Sequence, residues 1–182
     1  MKKVINISIL ILLVSLFSCM NAEIGRNIQT VDSLLQEINE LDTKNKSIKT
    51  EEVRLMYDTI KQNLDSLNKY MLSLPKNDEA TYSLAIFTDV SKQAKHFVAE
   101  DFSEDIKYSI KQIQNLKTDI TNDALPSDSV KFYLLSEKDA LLELQESVER
   151  HSKSAEQIIE KYQRSIVGVN QFIEDLRNAK SE

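Results

Sequence analysis

SDSVKFYLLSEKDALLELQESVERHSKSAEQIIEKYQRSIVGVNQFIEDLRNA, residues 127–179, is the stretch on which the fold turns. Leu134, Glu137, Leu141, Leu144, Val148, His151, Ala155, Ile158, Tyr162, Ser165, Val169, Phe172 and Leu176 follow one another at alternating steps of three and four. Ten of these thirteen positions are apolar, so one side of a continuous helix is written for burial along its whole length. At 1.5 Å per residue the stretch predicts a rod of roughly 80 Å. Gly168 is the one residue expected to loosen or kink it.

The same periodicity returns in the segments upstream of it. Ile28, Val31, Leu34, Leu35, Ile38 and Leu41 predict a first helix over about Arg26–Asn45. Thr50 followed by Glu51 and Glu52 suits a helix start, the hydroxyl capping free N–H groups and the acids facing the positive end of the dipole. The stripe Val53, Met56, Ile60, Leu64, Leu67, Met71 and Leu74 follows, and Pro75 stops it. From Asp78, two stripes run on: Leu84, Phe87, Val90, Ala94 and Phe97, then Phe102, Ile106, Ile110, Ile113, Leu116 and Ile120. Asp101-Phe102-Ser103-Glu104 resembles a fresh capping box, yet no Gly or Pro enforces a break. Residues 78–122 therefore read as one long helix with an irregularity near Ala99–Ser103, two helices being the alternative. Pro126 makes the last turn. With two glycines and two prolines in 182 residues there are too few turn formers for a sheet. The expected fold is all-α, an elongated antiparallel bundle of three or four helices with coiled-coil character.

The N-terminus is of another kind. Met1-Lys2-Lys3 gives a positive start, Val4–Phe17 is almost wholly apolar, and Ser18-Cys19 follows. Such a run is too short to span a bilayer, which needs about 20 residues, but it suits a secretory signal. Leu16-Phe17-Ser18-Cys19 resembles the lipobox of bacterial lipoproteins, with an aliphatic residue three before the cysteine and a small one directly before it; Phe17 departs from the usual middle residue. The resemblance implies that Cys19 takes a diacylglycerol, that residues 1–18 are removed, and that the new amino group is acylated with a palmitate-like chain. Cys19 is the only cysteine, which leaves no disulfide and no thiolate cluster for it to serve. Two or three acyl chains anchor firmly, at roughly 0.8 kcal/mol per buried methylene. The division implied is 1–18 signal peptide, 19–25 lipidated tether and 26–182 one helical bundle domain. In size, signal and periodicity the chain is similar to the small helical lipoproteins of Bacteroidota. Met20 stands where, in enteric lipoproteins, an aspartate would retain the protein at the inner membrane. The outer membrane of the envelope is thus favoured, with the periplasmic or surface face left open.

Loss of residues 1–18 removes Lys2 and Lys3 and no acid, leaving 21 basic against 29 acidic side chains and a net charge of −8. So acidic a body repels polyanions, and no basic stripe offers phosphate a counterion, which excludes nucleic acid as a partner class. Enzymes hold their polar groups on loops over a scaffold, and this chain has few loops, no Gly-rich phosphate cradle and no serine paired with a base by motif. It reads as a non-enzymatic interaction or structural protein without cofactor, bound to the membrane through Cys19 and to a protein partner or further copies of itself. The alternative is a ligand- or metal-binding bundle using His96 and His151. A hairpin turning near Ala124 puts them at nearly equal height, with Glu100 and Glu149 the acids close by in sequence. Di-iron bundles use Glu-x-x-His, whereas Gln93 and Val148 hold that place here. The blander reading makes His151 a register-setting polar residue in the seam, with His96 flanking it in water.

Overall fold

Helix is the only regular structure among the described residues, which in the computed structural model are 2–70 and 78–179, with side chains described for 22–67, 81, 82 and 84–178. In chain order they form α1 (Lys2–Ser47), α2 (Thr50–Tyr70), α3 (Asp78–Phe97), α4 (Ser103–Thr121) and α5 (Ser127–Ala179). Two residues part α1 from α2, so the described residues make four helical runs if those are taken together, and the all-α bundle expected from the periodicity is what forms. α5 stays helical through Gly168.

Two boundaries differ from the sequence reading. The first helix begins at Lys2 instead of Arg26, with Cys19–Gly25 inside it. No proline lies in that stretch, and the single Gly25 disfavours helix by only about 1 kcal/mol. The side chains of residues 1–18 and of Cys19 lie outside those described, as does the turn assigned to Pro75. The second difference lies within 78–122, where α3 ends at Phe97 and α4 starts at Ser103, so there are two helices and not one. Val98 N–H still reaches the Ala94 carbonyl, but Ala99 and Glu100 donate to His96 and Phe97, tightening the last turn from four-residue to three-residue steps. Glu104 and Asp105 then occupy the first turn of α4, where the dipole favours acids, while Lys95 and His96 sit in the last turn of α3, where it favours cations.

The chain divides into two compact units. One comprises residues 1–44 and 103–146, built from α1, α4 and the beginning of α5. Its core holds Val31, Leu34, Ile38, Leu41, Ile106, Ile113, Leu116, Ile120, Val130 and Leu141. Asp32 pairs with Lys117 at 2.6 Å, and Glu23 accepts a 2.6 Å hydrogen bond from the Ser127 hydroxyl with Lys131 3.7 Å away. α4 passes into α5 through a Schellman turn. Ala124 N–H reaches the Asp119 carbonyl at 2.9 Å, Asp123 N–H reaches Ile120 at 3.1 Å, and Asp123 takes the left-handed φ of 51° that glycine usually supplies. Pro126 ends the turn, and its carbonyl accepts from Val130 N–H.

The other unit comprises residues 45–102 and 147–182, with α2, α3 and the remainder of α5. Val53, Ile60, Leu67, Phe87, Val90, Ala94, Phe97, Ala155, Ile158, Ile159, Val169 and Ile173 form its core. Pairings between 87 and 162, 89 and 161, and 97 and 151 show α3 running antiparallel to α5. Every described residue of the predicted stripes is buried or half-buried, so the periodicity is realised as packing.

Depth varies along the α5 seam, and stability should follow it. Leu141 is 2 % exposed whereas Leu144 is only half-buried. Leu141→Ala should lose about 2–5 kcal/mol, and Leu144→Ala distinctly less, because a partly open site leaves a smaller cavity. Urea melts of the two variants at fixed m-value decide this; equal losses would contradict the assigned depths.

Candidate functional site

The densest polar and aromatic constellation lies in the second unit, where the last turn of α3 and the connector after it meet α5. Phe97 and Val148 are core positions that fix the two backbones. His151 then falls on the buried face of α5 one turn beyond Val148. Only 5 % of it is exposed. Its ring lies parallel to Phe97, with centroids 3.9 Å apart and planes 3° apart, and Phe102 meets it edge-on at 5.4 Å and 78°. Such contacts add dispersion and quadrupole attraction to simple burial.

The polar side of the ring is met by Glu100, whose Oε2 is 3.3 Å from His151 Nδ1. A carboxylate there accepts, so Nδ1 carries the proton in the neutral ring. Burial pushes the His151 pKa below its usual value, and the charges of Glu100 and Asp101 pull it partway back. Glu100 itself is mostly in water, with 60 % of its side chain exposed. The neutral imidazole is thus the form the site favours, held as a hydrogen-bond donor by an acid that keeps its own solvation.

His96 is exposed, but it lines the same open cleft of about 810 Å³ as His151, together with Phe97, Glu100, Phe102 and Arg150. The equal heights inferred for the two histidines thus correspond to one shared cleft. The acid partner differs from the one adjacent in sequence. Glu100, four residues from His96 in sequence, meets His151. The cause is the end of α3 at Phe97: released from helical geometry, residues 98–102 wrap over the α5 seam. Among the described residues no group of three or more His, Cys, Asp or Glu side chains is placed to hold a metal ion. Two histidines and an acid already committed to one of them make a polar clasp more readily than a metal centre.

Glu137 and Ser165, the other polar members of the seam, have separate accommodations. Ser165 is buried and donates to the Tyr162 carbonyl within its own helix at 3.1 Å. Glu137 is half-buried, and desolvation raises its carboxyl pKa. Neither borders the histidine cleft.

The opposite side of α5 within the first unit carries an apolar series of its own. Phe132, Leu135 and Leu142 are 65 %, 62 % and 48 % exposed, and Tyr133 is 44 % exposed, packed edge-on against Phe132. The signal was present in the sequence as a second three-and-four series, offset from the first. It was masked by the stronger one.

Comparison with known proteins finds no matching family model, no similar curated protein and no similar solved structure.

Proposed function

We propose that the chain is a lipid-anchored protein of the bacterial envelope whose helical body is a non-enzymatic interaction module. The observation that carries the second half is the exposed apolar series Phe132, Leu135 and Leu142 on a helix whose other side already fills a core. Isolated exposed leucines are ordinary, whereas a series at helical spacing on one face is what a protein–protein contact uses. The first half rests on Leu16-Phe17-Ser18-Cys19 and the basic, then apolar, residues before it. Among the described residues no helix is long and apolar enough to cross a membrane, so acylation of Cys19 is the anchor this reading supplies.

Cys19→Ala should abolish lipid labelling and signal removal together, since thiol modification precedes cleavage in the family the signal resembles. Labelled palmitate incorporation and globomycin-sensitive processing in cells provide the readouts. An alanine variant still cut at residue 18 and still membrane-bound would defeat the lipoprotein reading.

A second reading is favoured by one observation, the common cleft of His96 and His151. Under it the second unit holds a metal ion or small ligand between them. Added zinc would then raise the melting temperature of the wild type and leave His151→Leu unmoved.

A further inference from the structure

We propose that the outer face of α5 between Asp128 and Glu146 receives a basic amphipathic helix supplied by another protein. This rests on the interaction-module reading and specifies the partner it takes.

The inner face of this part of α5 is Val130, Leu134, Glu137, Leu141 and Leu144, all buried or half-buried. At 100° per residue the opposite side carries Asp128, Phe132, Leu135, Asp139, Leu142 and Glu146. These six are spaced 4, 3, 4, 3 and 4, the alternation of a coiled-coil seam, and every one of them is exposed. Three seam positions are large and apolar. The other three are acidic.

That mixture discriminates among occupants. A second copy in parallel register would set Asp128, Asp139 and Glu146 against themselves. An antiparallel copy that matches Phe132 with Leu142 would set Asp128 against Glu146 and bury Asp139 against Leu135. Like charges facing across a contact oppose association, and a buried unpaired carboxylate opposes it more strongly. An anionic lipid surface meets the same acids. A helix with leucine-like residues opposite Phe132, Leu135 and Leu142, and Lys or Arg opposite Asp128 and Asp139, satisfies both parts of the pattern. Glu146 is already engaged, so the charge argument rests on Asp128 and Asp139; Lys131 and Lys138 lie by helical angle to one side of the face, and Lys131 is turned towards Glu23. The rigid Phe132–Tyr133 pair at one end supplies the aromatic anchor that interfaces favour. Nineteen residues of α5, about 27 Å, set the length of the partner helix.

The test uses the intact chain in zwitterionic nanodiscs, with empty nanodiscs as reference. The probe is a fluorescent 19-residue helix with leucine at seam positions and lysine beside them, and its counterpart with glutamate for lysine. Fluorescence anisotropy should show saturable binding of the lysine peptide that weakens about tenfold between low and high salt. The Phe132→Ser, Leu135→Ser, Leu142→Ser triple variant should bind at least about tenfold more weakly, as should Asp128→Asn with Asp139→Asn. Val167→Ser, at an equally exposed apolar position of the other unit, should bind as the wild type does. All these side chains lie in water, so circular dichroism should report unchanged helix content. Equal binding of the lysine peptide to wild type and triple variant, or equal binding of both peptides, would overturn the proposal. So would a concentration-dependent dimer in sedimentation that Leu135→Ser dissolves, which would give the face to a second copy. Should a photo-crosslinker at residue 135 capture in cells a protein segment without basic residues, the basic helix falls while the interaction module stands.

Discussion

Phe87→Ala should lower the free energy of unfolding by about 3–5 kcal/mol, the largest loss expected from one truncation in the second unit. Phe87 is 0 % exposed and is the largest fully enclosed side chain among the described residues. The core cluster it belongs to draws on α2, α3 and α5, so a cavity there loosens a core that all three helices share. Its ring also stacks on Tyr162 at 6.3 Å and 26°, a contact of about 0.5–1.5 kcal/mol beyond area burial. For a unit of this size each kcal/mol moves the melting temperature by about 4–8 °C, so a fall of at least about 12 °C is expected. Phe87→Leu, which keeps most of the volume, should restore more than half of the loss. Calorimetry of the two variants checks this. A Phe87→Ala protein melting within a few degrees of the wild type would mean that the site collapses freely and that the core assigned here is loose.

The helices and their buried faces were legible because burial along a helix repeats every three to four residues, and nothing in this chain interrupts that signal. Val31, Ile60, Val90, Ile113 and Ile158 could each be placed in a core from spacing alone. Two things were not legible and one only in part, each for a physical reason. The end of α3 at Phe97 was marked only by the capping-box pattern at Asp101-Phe102-Ser103-Glu104, since no Gly or Pro enforces it; it is set by three-residue hydrogen bonding in the last turn and by Phe102 meeting His151, which is a tertiary contact. The turn after α4 uses Asp123 in the left-handed region, a position at which sequence reasoning looks for glycine. The division into two units is invisible in α5, since its seam alternates threes and fours without a break while its partners change from α1 and α4 to α2 and α3. The candidate site was half legible. His96 and His151 could be brought together from hairpin geometry, whereas the partnership of Glu100 with His151 depends on where α3 stops.

The pH dependence of stability should separate His151 as a structural clasp from His151 as a ligand. At pH 7.5, His151→Ala should lose about 2–5 kcal/mol, because Phe97 and Phe102 would face a cavity and Glu100 would lose its donor. His151→Leu refills most of that volume and should recover much of it. The sign of the pH effect follows from the native pKa lying below the unfolded value of about 6.5. Above that pH the ring is neutral in both states and its contribution is complete. As pH falls below it, the unfolded chain takes up a proton that the native site resists, so the stability of the wild type declines until the native ring is itself protonated. Glu100 and Asp101 shorten that interval without reversing it, since burial is the larger cause. Arg150 and His96 border the same cleft, and any positive charge brought near the ring acts in the same direction as burial. Other carboxylates titrate in both chains, so the informative quantity is the wild type minus His151→Leu, followed from pH 7.5 to 5. That difference should move against the wild type as pH falls, and added zinc should leave it unchanged. A difference that moves in its favour on acidification would show that Glu100 outweighs burial. A zinc-dependent rise confined to the wild type would transfer the site to the ligand-binding reading.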